Sequence, residues 1–222
     1  VEHTNAEQAI LREIKHPFVV GLRYSFQSHD KLYLITDYYS GGNLFAHLRN
    51  AKAFSEERAK FYTAELMLAL DHLHSKDIIY RDLKLENILM DHTGHIILTD
   101  FGLSKPDIDK TGGASTFCGT AEYIAPELLM GKTYREAVDW WSFGILLYEM
   151  MNGSTPFYNK NKKLMYYNIT HNPPSFNEEK FGENAQNVIR ALLNVDEGAR
   201  LGSNGGAKEI FSLDFYNKID QA

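Results

Sequence analysis

The chain has 222 residues, 44% of them hydrophobic and 23% charged, enough for one sizeable domain or two unequal lobes and too apolar for a disordered segment. Its formal net charge of -6 gives no electrostatic footprint for nucleic acid. The single cysteine, Cys118, excludes an internal disulfide framework and a Cys-based zinc site, and no apolar run reaches the roughly 18 residues that suggest a membrane span.

In chain order, Glu2 to Ile14 carries Ala6, Ile10, Leu11 and Ile14 at helical spacing, and His16-Pro17 stops the helix. Two β-rich runs, Val19 to Phe26 and Leu32 to Tyr39, flank the turn-like Ser28-His29-Asp30 and predict a hairpin. After Ser40-Gly41-Gly42 a short helix is expected from Leu44 to Arg49. Ser55 is the N-cap of a long helix, with Glu56 and Glu57 in its first turn. Tyr62, Leu66, Ala69, Leu70 and Leu73 form an apolar stripe along it, read as core packing.

Further on, Ile88 to Met90 and His95 to Leu98 predict a second hairpin around the turn Asp91 to Gly94. From Val138 the chain becomes apolar nearly all round, through Trp140, Trp141, Phe143, Ile145, Leu146 and Leu147, as in a buried helix. Helices are also expected at Lys162 to Ile169, Ala185 to Leu193 and Ala207 to Phe211. The expected division falls at Gly41-Gly42, into a small hairpin-and-helix piece (1–39) and a mostly helical one (40–222). His72 and His74 lie two apart on a helix and face apart, so they make no metal pair.

The chemistry concentrates in Tyr80-Arg81-Asp82-Leu83-Lys84-Leu85-Glu86-Asn87, followed by Asp100-Phe101-Gly102. Alone, either segment would more often be a turn or a cap; in order, each beside a β segment, they resemble the signature set of the protein kinases. Phosphoryl transfer needs a carboxylate near the attacking hydroxyl, oxygen ligands for magnesium, and positive charge beside the moving phosphate. The resemblance implies that Asp82 accepts or orients the substrate hydroxyl, that Asn87 and Asp100 hold Mg2+, and that Lys84 neutralises charge on the phosphoryl group. It continues through Ala125-Pro126-Glu127, Asp139-Trp140-Trp141 and Arg200, implying a Glu127–Arg200 pair and an Asp139 that braces the catalytic loop. The implied fold is α+β and two-lobed.

Tyr80 in place of the usual His, the run Thr116 to Tyr123, the opening Glu2-His3-Thr4 and Val138-Asp139-Trp140-Trp141 together resemble the AGC group of kinases, which includes the cyclic-nucleotide-dependent kinases, protein kinase C and protein kinase B. Lys84 with Thr120 resembles Ser/Thr rather than tyrosine kinases. The resemblance implies an upstream kinase acting on Thr116, whose phosphate would order the loop through His3, Arg81 and Lys105. Cys118 beside it is read as a passive small residue.

For ATP, the resemblance implies Thr36 at the adenine pocket, the backbone of Asp37 and Tyr39 at the adenine edge, and Leu89 beneath the ring. Asn43 departs from the Glu usual in arginine-selective members and puts one ribose contact in doubt. Glu7 matches the helix Glu that pairs with a phosphate-contacting Lys, Glu86 and Glu149 match positions that select basic residues upstream of the target Ser or Thr, and Thr99 directly precedes Asp100. Neither a Gly-rich loop nor a strand Lys stands before Glu7, and Val1 is no initiator Met. The expectation is therefore an N-terminally truncated kinase whose residues 1 to 222 alone do not transfer phosphate and whose hairpin exposes apolar surface. The rival expectation is a pseudokinase or regulatory fragment that binds without catalysis. The cytoplasm is the default location, with the nucleus open.

Overall fold

The computed structural model describes residues 2–105, 114, 116–217 and 219, with side chains from Glu7 onward. Helix α1 (Glu2–Glu13) leads to the antiparallel hairpin β1 (Leu22–Gln27) and β2 (Leu32–Thr36), paired from Leu22 with Thr36 to Gln27 with Leu32. Ser28 donates its backbone N–H to the Lys31 carbonyl at 2.8 Å, closing the expected turn. The strands are shorter than the β-rich runs for a physical reason. Val19 and Val20 are buried and lie beside a different strand: Val20 donates to the Leu98 carbonyl at 3.0 Å and Leu98 donates to Phe18 at 2.9 Å. Their β character serves a tie between the two pieces of the chain.

Helix α2 (Leu44–Ala51) begins at Asn43, whose side-chain oxygen accepts from Ala46 N–H at 2.9 Å. Helix α3 (Glu56–His74) begins at Ser55, whose hydroxyl accepts from Arg58 N–H at 3.3 Å. Both caps satisfy a donor that the first turn leaves without a helical partner. The stripe Tyr62, Leu66, Ala69, Leu70 and Leu73 is buried as expected.

The second hairpin pairs β3 (Ile88–Met90) with β4 (Ile96–Leu98) and rests on α3, where buried Glu65 accepts the Ile96 N–H at 2.9 Å. A one-turn helix, α4 (Pro126–Leu129), escapes sequence reading because four residues show no period; Pro126 at its first position needs no N–H there.

Helix α5 (Ala137–Asn152) is the centre of the larger piece, with Trp140, Trp141, Phe143, Ile145, Leu146 and Leu147 fully buried. It packs on α3 and on α7 (Glu183–Leu192), with α6 (Lys162–His171) and α8 (Gly206–Phe211) outside. Gly144 permits the α5–α7 approach, since a Cβ there would stand 2.8 Å from Leu192 Cβ. Gly153 ends α5 at φ 91°, where a Cβ would meet the Lys52 carbonyl at 2.2 Å, so only glycine fits. By contrast, the first hairpin turns Tyr24 (74% exposed) and Phe26 (55%) to solvent, with Phe26 stacked on Tyr33 at 4.8 Å. No helix among the described residues is long and apolar enough to cross a membrane.

Candidate active site

Asp82 and its neighbours converge through side-chain hydrogen bonds. Asp82 is buried. Its Oδ1 accepts from Thr120 Oγ1 at 2.9 Å, and its Oδ2 accepts from Lys84 Nζ at 2.6 Å and Asn87 Nδ2 at 3.1 Å. Lys84 Nζ also donates to Thr120 Oγ1 at 3.2 Å, and Asn87 Nδ2 donates to the Asp82 carbonyl at 2.9 Å. The carboxylate is thereby fixed in orientation from both sides, with a cation on one oxygen and a hydroxyl on the other.

The loop that presents Asp82 is strained and braced. Arg81 sits at φ 70° and Asp100 at φ 58°, conformations that cost an L-residue about 1–2 kcal/mol, least for Asp. The wholly buried Asp139 carboxylate holds the loop, accepting from the N–H groups of Tyr80 and Arg81 and from His74 Nε2, each at 2.8 Å. Burial keeps the Tyr80 phenol neutral, its pKa pushed well up, and its hydroxyl donates to the Thr99 carbonyl. Thr99 in turn gives its N–H and hydroxyl to the Asn87 carbonyl, at 2.9 and 3.1 Å. The segments bearing Asn87 and Asp100 are thus tied at Asn87 itself and one residue before Asp100. Phe101 is buried edge-on against Tyr80 at 5.3 Å.

Glu7 stands over the same segment. Its pKa is raised, first by burial and then by the neighbouring Asp100 charge, while a hydrogen bond from the Phe101 backbone opposes the rise. A carboxyl whose ionisation is opposed by burial and by a neighbouring negative charge fits a place where a cation is held. The donor set also fits magnesium: Asn87 and Asp100 offer hard oxygens from two segments, and Mg2+ takes one or two side-chain oxygens with phosphate and water completing its shell.

The nucleotide residues are less gathered. Asp37 and Tyr39 border a cavity of about 340 Å³ with Ile14, Val19, Leu22 and Arg23; Thr36, Leu89, Thr99 and Asp100 do not line it. The Asp37 side chain is bonded to Arg23 Nε at 2.8 Å, which leaves only its backbone for a base edge. Asn43 is occupied as the cap of α2, a structural role that sequence reading did not assign.

The acidic residues meet around Tyr123. Glu149 accepts from the Tyr123 hydroxyl, and its pKa is pushed up to about 7, first by burial and then by the charges of Glu122 and Glu86, the hydrogen bond opposing. Thr116 is exposed; neither Arg81 nor Lys105 hydrogen-bonds to it, and the His3 side chain lies outside the described part. Arg81 instead donates from Nε to the Leu103 carbonyl at 2.6 Å and from Nη1 to the Tyr134 hydroxyl at 3.1 Å. Lys105 joins its backbone to Ile79. Tyr134 carries no motif signal, so only the geometry reveals it.

One further pair is fully buried. As the family resemblance implies, Arg200 donates from Nη1 and Nη2 to the two Glu127 oxygens at 2.7 and 2.8 Å; Nη1 also donates to the Ala137 carbonyl and Nε to the Asn194 carbonyl. The sequence matches the protein kinase domain family over residues 1–216.

The chain belongs to the protein kinase domain family. It is 50% identical to the serine/threonine-protein kinase gad8 of Schizosaccharomyces pombe, over 99% of this chain and 38% of that protein. It is 50% identical to the serine/threonine protein kinase ypkA of Aspergillus fumigatus, over 99% of this chain and 34% of that one. It is 48% identical to the serine/threonine-protein kinase Sgk1 of Rattus norvegicus, over 99% of this chain and 51% of that protein. This kinase domain therefore spans between a third and about half of the length of these relatives. Its likeness to Ser/Thr kinases agrees with the AGC-type features of its sequence. Members of the family use ATP and Mg2+.

Proposed function

We propose that the protein to which this domain belongs is a Mg-ATP-dependent serine/threonine kinase of the AGC type, acting on proteins with basic residues upstream of the target. The observation that carries the reading is the convergence of Asp82, Lys84, Asn87 and Thr120 on one hydrogen-bonded carboxylate. Asp82 orients the substrate hydroxyl and accepts its proton, with its second oxygen held by Lys84. The Lys84 ammonium meets charge that develops on the transferring group. Asn87 and Asp100 hold the metal, and Thr99 keeps their segments in register. Mg-ATP, when bound, supplies the transferable γ-phosphoryl group and the charge neutralisation that its transfer requires.

Thr36, the backbone of Asp37 and Tyr39, and Leu89 serve the adenine, with Asn43 beside the ribose. Glu86 and Glu149 present negative charge to a basic peptide. Thr116 is the site on which an upstream kinase acts, with Arg81, Lys105 and His3 as its cationic surroundings. No observation favours a non-catalytic fragment over this reading.

The test uses the full-length protein. Asp82→Asn and Asp100→Asn should each lower radiolabelled phosphate transfer by at least a hundredfold. Raised Mg2+ should recover part of the Asp100→Asn loss and none of the Asp82→Asn loss. Activity within a few-fold of wild type in either variant would overturn the roles.

A further inference from the structure

The activation segment and the catalytic loop meet at one side chain that neither motif contains. Tyr134 is almost fully buried, and beside a long 4.0 Å contact with Cys118 Sγ its hydroxyl makes two short bonds. It accepts from Arg81 Nη1 at 3.1 Å and donates to the Thr116 carbonyl at 2.8 Å. Its backbone exchanges two further bonds with Ala114, N–H to carbonyl each way at 2.9 Å. The segment around Thr116 is therefore clasped to Tyr134 at two points. Arg81 is the residue before Asp82, is held at φ 70°, and has Nε fixed on the Leu103 carbonyl.

We infer that Tyr134 is a positioning residue for phosphoryl transfer, its hydroxyl linking the activation segment at Thr116 to the Arg81–Asp82 step of the catalytic loop before Thr116 is phosphorylated. This rests on the kinase reading given above. A phenol suits the place because one oxygen both accepts and donates, so it can join a guanidinium, which only donates, to a carbonyl, which only accepts. Because the bond goes to the backbone of Thr116, the link is independent of the Thr116 side chain. Among the described residues the Nη2 group of Arg81 has no hydrogen-bond partner, so phosphate on Thr116 can add to the bridge without first displacing it.

Tyr134→Phe removes only the hydroxyl and keeps the buried ring. It should be made in the full-length protein carrying Thr116→Ala, which keeps the carbonyl and abolishes the phosphosite. There it should lower kcat about five- to twentyfold while leaving KM for ATP within twofold, and speed hydrogen exchange at the amides of residues 116–120. Unchanged kcat, or a loss expressed mainly in KM for ATP, would overturn the inference. Equal activity of the otherwise wild-type enzyme before and after stoichiometric Thr116 phosphorylation would instead overturn the phosphosite reading and leave the Tyr134 result standing on its own. Inactivity of wild type with Mg-ATP would overturn the kinase reading beneath both.

Discussion

The Asp139 carboxylate, wholly buried on α5, accepts the backbone N–H of Arg81 at 2.8 Å and so fixes the step before Asp82 from the middle of the core. The same carboxylate serves Tyr80 and His74. Asp139→Asn replaces one acceptor oxygen by a donor in front of three donors. It should cost about 3 kcal/mol of stability in denaturant unfolding and lower turnover on the order of tenfold to a hundredfold, since the misplaced group adjoins the reacting atoms. A variant with wild-type turnover would show that the strained loop holds itself.

The Glu149 carboxyl, with a pKa of about 7 against its usual 4.5, gives a pH dependence of known sign. Its folded pKa is raised, so its contribution to stability is fully present below the unfolded value and is lost as pH rises through about 7. Relative to Glu149→Gln, wild type should lose on the order of 3 kcal/mol between pH 4 and pH 8. The negative charge offered to a basic peptide appears over the upper part of that window. KM for an arginine-containing peptide should therefore fall between pH 6 and pH 8 in wild type and stay flat in the glutamine variant.

Glu127 and Arg200 test how a buried ion pair works here. Glu127→Ala leaves a fully buried guanidinium without its carboxylate and should cost about 3–5 kcal/mol. Glu127→Leu with Arg200→Met removes both charges and should cost less than that single change, measured by urea unfolding. A double variant worse than Glu127→Ala would mean that the bonds of Arg200 to the Ala137 and Asn194 carbonyls matter more than the pair.

Asn43 carries a cap and, in the proposed function, a place beside the ribose. Asn43→Ala should destabilise by about 1 kcal/mol, and Asn43→Asp should be close to neutral, because only the aspartate keeps the acceptor for Ala46 N–H. Asn43→Glu should strengthen selection for upstream arginine in a peptide array while losing much of the cap. An array that shows no basic enrichment in wild type would remove Glu86 and Glu149 from their proposed role.

Much of this was legible from residue order. The capping of α3 by Ser55, the burial of α5, and the grouping of Asp82, Lys84, Asn87 and Thr120 follow from periodicity, cap chemistry and motif resemblance. What escaped did so because its cause is tertiary. The register of Val19 and Val20 depends on Leu98, far along the chain, and their local β character could not name that partner. Helix α4 is too short to show a period. Tyr134 and the Tyr123–Glu149 contact depend on the route of the activation segment, which no local pattern encodes. The family resemblance points Asn43 to the ribose and to arginine selection, although an asparagine just before an apolar helical run is itself a cap signal.

The two bonds between Leu98 and the segment before β1 tie the first hairpin to the strand that leads to Asp100. Leu98 ends β4, and Asp100 follows after Thr99, whose bonds reach back to Asn87. The seating of the first hairpin and the spacing between Asn87 and Asp100 therefore rest on two adjacent residues, Leu98 and Thr99, so a change at the end of β4 reaches both at once.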